Sequence, residues 1–436
     1  MMRLLVAAAL LSLVLAAPDA EAGRSRGCPY TAGALPAETL PSGSLHGDQI
    51  PIDHIIVLMQ ENRSFDHMFG RIFAEGQPKA QGLQVFHANP DPTSLGLIPS
   101  FHQARLCEVA DLAHSWNATH RQIGPRHFMD GFTATNVDAV DPNGHRTMGY
   151  FTSADIPFYY GLYSTFAMAD RYFASVPGPT YPNRFFLIAG TSFGRTRNEF
   201  PQKANEYGPS IYDRMNDAGI AWKAYYSDIP FAGFFAGARA HVENIVTIDQ
   251  FFEDAANGTL PQVAYLDPKF GGDTTEENDE HPPSNVQLGQ AFVADVVQAL
   301  FESPNWGRTA LFIEYDEHGG YYDHVVPPAA CVPDATPPRL QPGDVNATFD
   351  QYGIRVPMVV VSPWARPHYV SHVVHDHTSI LRFIETRFDL PALTARDANT
   401  TPPLEMFDFS APPFETPPEL PAAEVDPDRA AECSGG

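Results

Sequence analysis

Ile52-Asp53-His54-Ile55-Ile56-Val57-Leu58-Met59 is a nearly continuous apolar run that breaks off into Gln60-Glu61-Asn62-Arg63-Ser64-Phe65-Asp66-His67. A strand buried on both faces reads this way, without the alternation of a half-solvated one. The pattern recurs at Thr309-Ala310-Leu311-Phe312-Ile313-Glu314-Tyr315, which ends in Asp316-Glu317-His318-Gly319-Gly320, and a third strand is expected over 354–361. Shorter strands are expected over 221–226 and 262–266. Helical segments fall between: Ser210 to Gly219, the striped 286–302 with Phe292, Val293, Val296 and Leu300 on one face, and Ser379 to Phe388. Strands alternating with helices predict an α/β fold, a mostly parallel sheet covered on both faces.

The rest of the chain frames that core. Residues 1–22 read as a secretory signal, with Arg3, an apolar stretch from Leu4 to Ala17 and an Ala20-Glu21-Ala22 cleavage site. An irregular leader follows over 23–49, then the main domain over 50–400 and a Pro-rich tail over 401–436. Within the domain, residues 71–150 show little periodicity and read as a loop-rich insertion; such long stretches are usually functional. A secreted or periplasmic product fits four cysteines, Cys28, Cys107, Cys331 and Cys433, which allow three disulfide pairings. No later stretch is long and apolar enough to span a bilayer. The net charge of -25, from 27 Lys+Arg against 52 Asp+Glu, repels polyanions and argues against a nucleic-acid partner. A small anionic substrate stays open, because a bound metal reverses the local sign.

In open α/β sheets ligands bind beyond the carboxyl ends of the strands, so Glu61-Asn62 and Asp316-Glu317 belong on one edge. Their oxygens suit a divalent cation. Between them in sequence comes Val176-Pro177-Gly178-Pro179-Thr180-Tyr181-Pro182-Asn183-Arg184. Gly178 and Pro179 make a turn, and Thr180 stands where a helix begins, a place that holds phosphate and favours an ionised hydroxyl. Arg184, four residues on, projects over the same face. Histidines crowd the remaining turns: His114, His281, His318 and His324, with His368, His372, His375 and His377 before the last helix. Their number is expected to reflect a site that donates protons or hydrogen bonds to phosphate oxygens.

Gln60 to His67, Pro179 to Arg184, Tyr315 to His324 and Asp376-His377-Thr378-Ser379 together resemble the bacterial and fungal non-specific phospholipase C / acid phosphatase family. The blocks run in the family's order across nearly the whole mature chain. The resemblance implies an alkaline-phosphatase-like three-layer α/β/α sandwich. It implies Glu61, Asn62, Asp316 and Glu317 around one divalent metal ion, Thr180 as nucleophile, and His114 and His281 near the phosphate. Asn62, Arg184 and His318 are expected to bind the phosphate oxygens.

Phospholipid phosphodiesters and small phosphate esters are the implied substrates, with transient contact at a lipid surface. Thr at the nucleophile position is the phospholipase C form; acid phosphatase members carry Ser there, so a phosphomonoesterase is the alternative. The Thr180-Tyr181-Pro182-Asn183-Arg184 frame also fits a sulfatase signature, but Thr cannot be oxidised to the aldehyde that chemistry needs. A binding protein without turnover would be expected to have lost part of the constellation. Trp116, Phe128, Phe132 and Tyr150 could receive a choline-like cation or simply pack the insertion's own core.

Overall fold

The computed structural model describes residues 28–203, 206–272 and 276–433; the expected signal segment lies outside them. Eight strands, numbered in chain order, form the main sheet: β1 (His54–Gln60), β2 (Ala167–Ala169), β3 (Trp222–Tyr226), β4 (Ile245–Thr247), β5 (Val263–Asp267), β6 (Thr309–Tyr315), β7 (Met358–Val361) and β8 (Val370–Ser371). They lie in the order β8-β2-β7-β6-β1-β5-β3-β4. The two apolar runs are central neighbours, parallel, with Gln60 opposite Tyr315. Only β7 runs antiparallel to its neighbours.

The longer helices are α1 (Trp116–Ile123), α2 (Pro157–Thr165), α3 (Thr180–Ala189), α4 (Ile211–Ala218), α5 (Ile248–Asn257), α6 (Val286–Phe301) and α7 (His377–Phe388). Alternation along β6 assigns its two faces. Phe312 meets Phe383 of α7, ring centroids 5.1 Å apart, and Glu314 meets His377 of the same helix. On the opposite face Tyr315 bonds Glu280, which also binds Tyr159 of α2, and α2 touches α6. The sheet is therefore the middle of three layers, an α/β/α sandwich.

Several expectations shift. The strand expected over 354–361 starts at Met358: Pro357 has no N–H for a ladder, and Arg355 is turned into a buried cluster with Asp66 and Asp323. The last helix starts two residues early, at His377 with Asp376 as its cap. The insertion is loop-rich but holds a hairpin, Ala88–Pro90 against Leu97–Pro99, and a small core around Ile123, Phe132 and Met148. Phe132 is buried in that core and Tyr150 packs against it, so the packing reading holds for them; Trp116 is buried instead against Val176, Phe186 and Phe349 outside the insertion, and Phe128 is exposed. The tail wraps the surface: Phe407 is buried, Phe414 packs on the main core, and Trp306 Nε1 donates to the Phe414 carbonyl at 3.0 Å. The disulfides are Cys28–Cys331 and Cys107–Cys433, which tie both ends of the described chain to the domain. No helix among the described residues is long and apolar enough to cross a membrane.

Candidate active site

The turn ahead of Thr180 is held by one buried amide. Asn183 Nδ2 donates to the carbonyls of Gly178 and Pro179 at 3.0 and 3.2 Å, and its Oδ1 accepts from the Val176 N–H at 3.0 Å. Thr180 is the first residue of α3, its cap Pro179 extended, and the helix ends in left-handed Gly190. The hydroxyl thus stands at the positive end of a ten-residue helix dipole.

The ends of β1 and β6 are stitched together. Asp316 N donates to the Gln60 carbonyl at 3.1 Å, and Asp316 Oδ1 accepts from the backbone N–H of Asn62 at 3.0 Å and of Glu317 at 2.6 Å. Asn62 is left-handed at φ 59°, and Gly319 passes so close that a Cβ would stand 2.1 Å from the Asn62 carbonyl oxygen. Any side chain at 319 would push the two strand ends apart.

Three buried oxygens at this junction have no hydrogen-bond partner among the described residues: Asn62 Oδ1, Asp316 Oδ2 and Glu317 Oε1. Unpaired buried acceptors of this kind are costly, and hard oxygen donors suit a divalent cation. Three of the four expected ligands therefore keep an oxygen for the metal the resemblance implies. Glu61 completes the set, its carboxyl pushed up to about 7 by burial and by the Asp316 charge against the pull of Arg184. Burial and Asp316 likewise push Glu317 well above the carboxylate range. Both shifts are what excess negative charge in a dry site produces.

His114 and His281 face each other edge to face at 5.7 Å. His114 Nδ1 is 2.7 Å from the Leu112 carbonyl and His281 Nδ1 2.6 Å from that of Pro282, which fixes a proton on each Nδ1 and leaves Nε2 as the working atom. His114 Nε2 lies 3.4 Å from Asn62 Nδ2 and 3.9 Å from Glu317 Oε1. Burial, with the charge of His281, lowers the His114 pKa.

Arg184 and His318, expected against the phosphate, are turned to the carboxylates instead. Arg184 Nε donates to Glu61 Oε1 at 3.0 Å and Nη2 to the Met59 carbonyl at 3.0 Å. His318 is clamped between Gln122 Oε1 at 2.7 Å and Glu317 Oε2 at 3.0 Å. Of the five other histidines singled out in the sequence, four pair with carboxylates: His324 with Asp66, His372 with Asp170 and His377 with Glu314, all buried acids, and His375 with the half-buried Glu405. His377 also reaches the Asp316 carbonyl, at 2.8 Å.

Among the described residues, two carboxylate–histidine groups converge most tightly, Asp66–Asp323–His324 and Asp111–His114–His281. The first is neutralised by Arg355, which bonds both aspartates. The second lies beside Glu317 but includes Asp111, an exposed residue whose chemistry gave no signal in the sequence. Sequence reasoning also passed over Asn183, although it stands inside a quoted motif, and Gln122, for which no local pattern exists.

Residues 52–391 match the phosphoesterase family. The chain belongs to the phosphoesterase family. The resemblance read from four sequence blocks is borne out, and the chain is a hydrolase acting on phosphoric ester bonds. Non-specific phospholipase C6 of Arabidopsis thaliana is 35% identical over 373 residues, 81% of this chain and 71% of that one. Phospholipase C B of Mycobacterium tuberculosis is 32% identical over 450 residues, 89% of this chain and 84% of that one. Among solved structures, the lipoteichoic acid synthase LtaP of Listeria monocytogenes aligns with 81% of this chain and 77% of that one, at 10% identity and a TM-score of 0.40.

Proposed function

We propose that this phosphoesterase is a secreted, metal-dependent phospholipase C that cleaves phospholipid phosphodiesters through a phosphothreonine. The reading is carried by the three unpartnered buried oxygens of Asn62, Asp316 and Glu317 at the strand ends. Relatives named phospholipase C, 31–35% identical over most of the chain, support the substrate class. Two disulfides support an oxidising compartment after removal of residues 1–22.

Glu61, Asn62, Asp316 and Glu317 would hold one divalent cation, which when bound neutralises charge on the phosphoryl group. Thr180 Oγ attacks phosphorus in line; the Oγ–P bond forms as the bond from phosphorus to the diacylglycerol oxygen breaks. A protonated His114 or His281 gives its Nε2 proton to that oxygen, and the Thr180 proton leaves to solvent. Water then attacks this phosphothreonine, which still carries the head group, giving one proton to the histidine and releasing the phosphorylated head group, while the Thr180 oxygen takes a proton back from solvent. In this reading Asn62 Nδ2, which lies 3.4 Å from His114 Nε2, donates to a phosphoryl oxygen. Arg184 and His318 act as positioning residues, holding Glu61 and Glu317.

The test compares phosphatidylcholine with a soluble phosphomonoester, reading diacylglycerol against free phosphate. Diacylglycerol as the main product supports the reading. A kcat/KM that favours the monoester, with no diacylglycerol, makes the chain an acid phosphatase.

A further inference from the structure

The insertion over residues 71–150 is under a fifth of the chain, yet it carries more than half of the large apolar side chains exposed among the described residues. Such side chains scattered singly need no explanation; gathered beside an active site they mark a binding surface. Phe128 is 61% exposed although its neighbours are the reverse of relaxed: His127 and Met129 are both left-handed, at φ 55° and 53°. Left-handed backbone at two non-glycine residues costs conformational energy, and it persists only where the surroundings impose it. Met129 is buried, so this backbone sends one side chain inward and Phe128 out. The Arg126 guanidinium stands 4.8 Å over the Phe128 ring.

The hairpin is fastened to the same loop. Asn89 and Ile98, opposite each other, are buried; Asn89 Nδ2 donates to the Met129 carbonyl and its Oδ1 accepts from Phe132 N, both at 3.0 Å. Period two then puts Leu97, opposite Pro90, on the outer face, with Leu95 fully exposed at the turn and Phe86 75% exposed at the entry. The unit is rigidly joined to the site: Met129 N donates to Ile123 of α1, whose Gln122 clamps His318, and Asn136 bonds both Ala113 and Gly320. Its charge differs from that of the whole. The insertion over 71–150 holds six Lys+Arg against seven Asp+Glu, close to neutral in a chain of net charge -25, and exposed Arg121 and Arg126 lie between the exposed Asp111 and Asp130.

We infer that the hairpin and the Phe128 loop form a docking surface for a zwitterionic phospholipid bilayer. Phe86, Leu95, Leu97 and Phe128 enter the interface while Arg121 and Arg126 meet lipid phosphates. The overall charge repels an anionic surface, whereas a zwitterionic one offers phosphate to two arginines without net repulsion. The inference rests on the phospholipase C reading for its purpose and adds to it where the lipid surface is met.

The test uses the full mature chain with phosphatidylcholine vesicles. In a Thr180→Ala background, which spares the lipid, Phe86→Ser/Leu95→Ser/Phe128→Ser should reduce cosedimentation with vesicles at least tenfold. With Thr180 intact, the triple variant should lose at least tenfold in vesicle hydrolysis and stay within twofold on a short-chain phosphatidylcholine kept monomeric. Unchanged vesicle partition, or an equal loss on the monomeric lipid, overturns the surface. So does a light-scattering change showing that the triple variant only dissolves a self-association. Phe128→Trp gives a reading that does not depend on the triple variant folding: its emission should shift to the blue on vesicles, and an unshifted spectrum overturns the inference. If no phospholipid is cleaved in any form, the proposed function fails, while cosedimentation still decides the surface.

Discussion

The backbone N–H of Asn62 donates to Oδ1 of Asp316 at 3.0 Å, across 254 residues of sequence. That bond and the one from Glu317 N occupy one oxygen of the carboxylate and leave the other, Oδ2, without a partner among the described residues, like Asn62 Oδ1 and Glu317 Oε1. Asp316 is thus both the clamp between two strand ends and a candidate ligand. The two roles separate by substitution.

Asp316→Asn keeps the Oδ1 acceptor and loses the charge. It should fold as the wild type does, bind metal far more weakly, and lose on the order of 10³-fold in kcat/KM. Asp316→Ala should lose metal as well, with a stability change within about 2 kcal/mol, since two lost hydrogen bonds are offset by relief of repulsion from Glu61 and Glu317. Elemental analysis and thermal melts check both. Full activity in the asparagine variant would remove Asp316 from the ligand set.

Thr180→Ala should abolish turnover, and Thr180→Ser should retain part of it, because the hydroxyl and the helix start are kept. Acid quench during turnover on phosphatidylcholine should place the phosphoryl group with its head group still attached, a phosphodiester, on the peptide containing Thr180. Label on another peptide would falsify the phosphothreonine.

Asn183→Ala removes the amide that holds the turn before Thr180, leaving the Gly178 and Pro179 carbonyls without their donor. A nucleophile misplaced by about 1 Å costs roughly 10²-fold in rate. The loss should fall on kcat more than on KM, and the melt should drop by about 1–3 kcal/mol of stability. An unchanged kcat would mean that the turn is held without Asn183.

Glu280 offers a pH signature. Burial pushes its carboxyl up to about 7, against hydrogen bonds from Tyr159 and Tyr315. Near pH 4 the group is protonated in both folded and unfolded chains. Between about 4.5 and 7 the folded chain holds a proton that the unfolded chain has released, so its contribution to stability falls as pH rises, by about 3 kcal/mol in all, and is flat above 7. Denaturant melts at pH 5 and pH 8 should show this component, and Glu280→Gln should remove it. An identical pH slope in the variant would assign the dependence elsewhere.

Export leaves a mark in mass. The Ala20-Glu21-Ala22 site should yield a mature chain that begins near Gly23, and intact mass of the secreted protein checks it. A chain still starting at Met1 would contradict cleavage.

Much of the site was legible along the chain because its signals are local. Unbroken apolar runs into Glu61-Asn62 and into Asp316-Glu317 require strands buried on both faces, and such strands deliver their last residues to one sheet edge. The Gly178-Pro179 turn before Thr180 places a hydroxyl at a helix start by backbone preference alone. Short elements were not legible: β2, β4 and β8 span two or three residues each, too few for a period, and only neighbouring strands hold them extended.

What the sequence by itself determined was therefore the central strands, the helix that starts at Thr180, and a set of polar residues at their ends. Only the tertiary structure decided which of those residues have oxygen left over. Asp66 and Asp323 resemble Asp316 and Glu317 as sequence, yet Arg355, brought from far along the chain, bonds the first pair, while Asp316 Oδ2 and Glu317 Oε1 stay unpartnered. The same holds for the disulfide pairing and for the histidines bound to buried carboxylates. A carboxylate's chemistry depends on what stands within about 4 Å of it, and for these residues that neighbour comes from a part of the chain that no local pattern reaches.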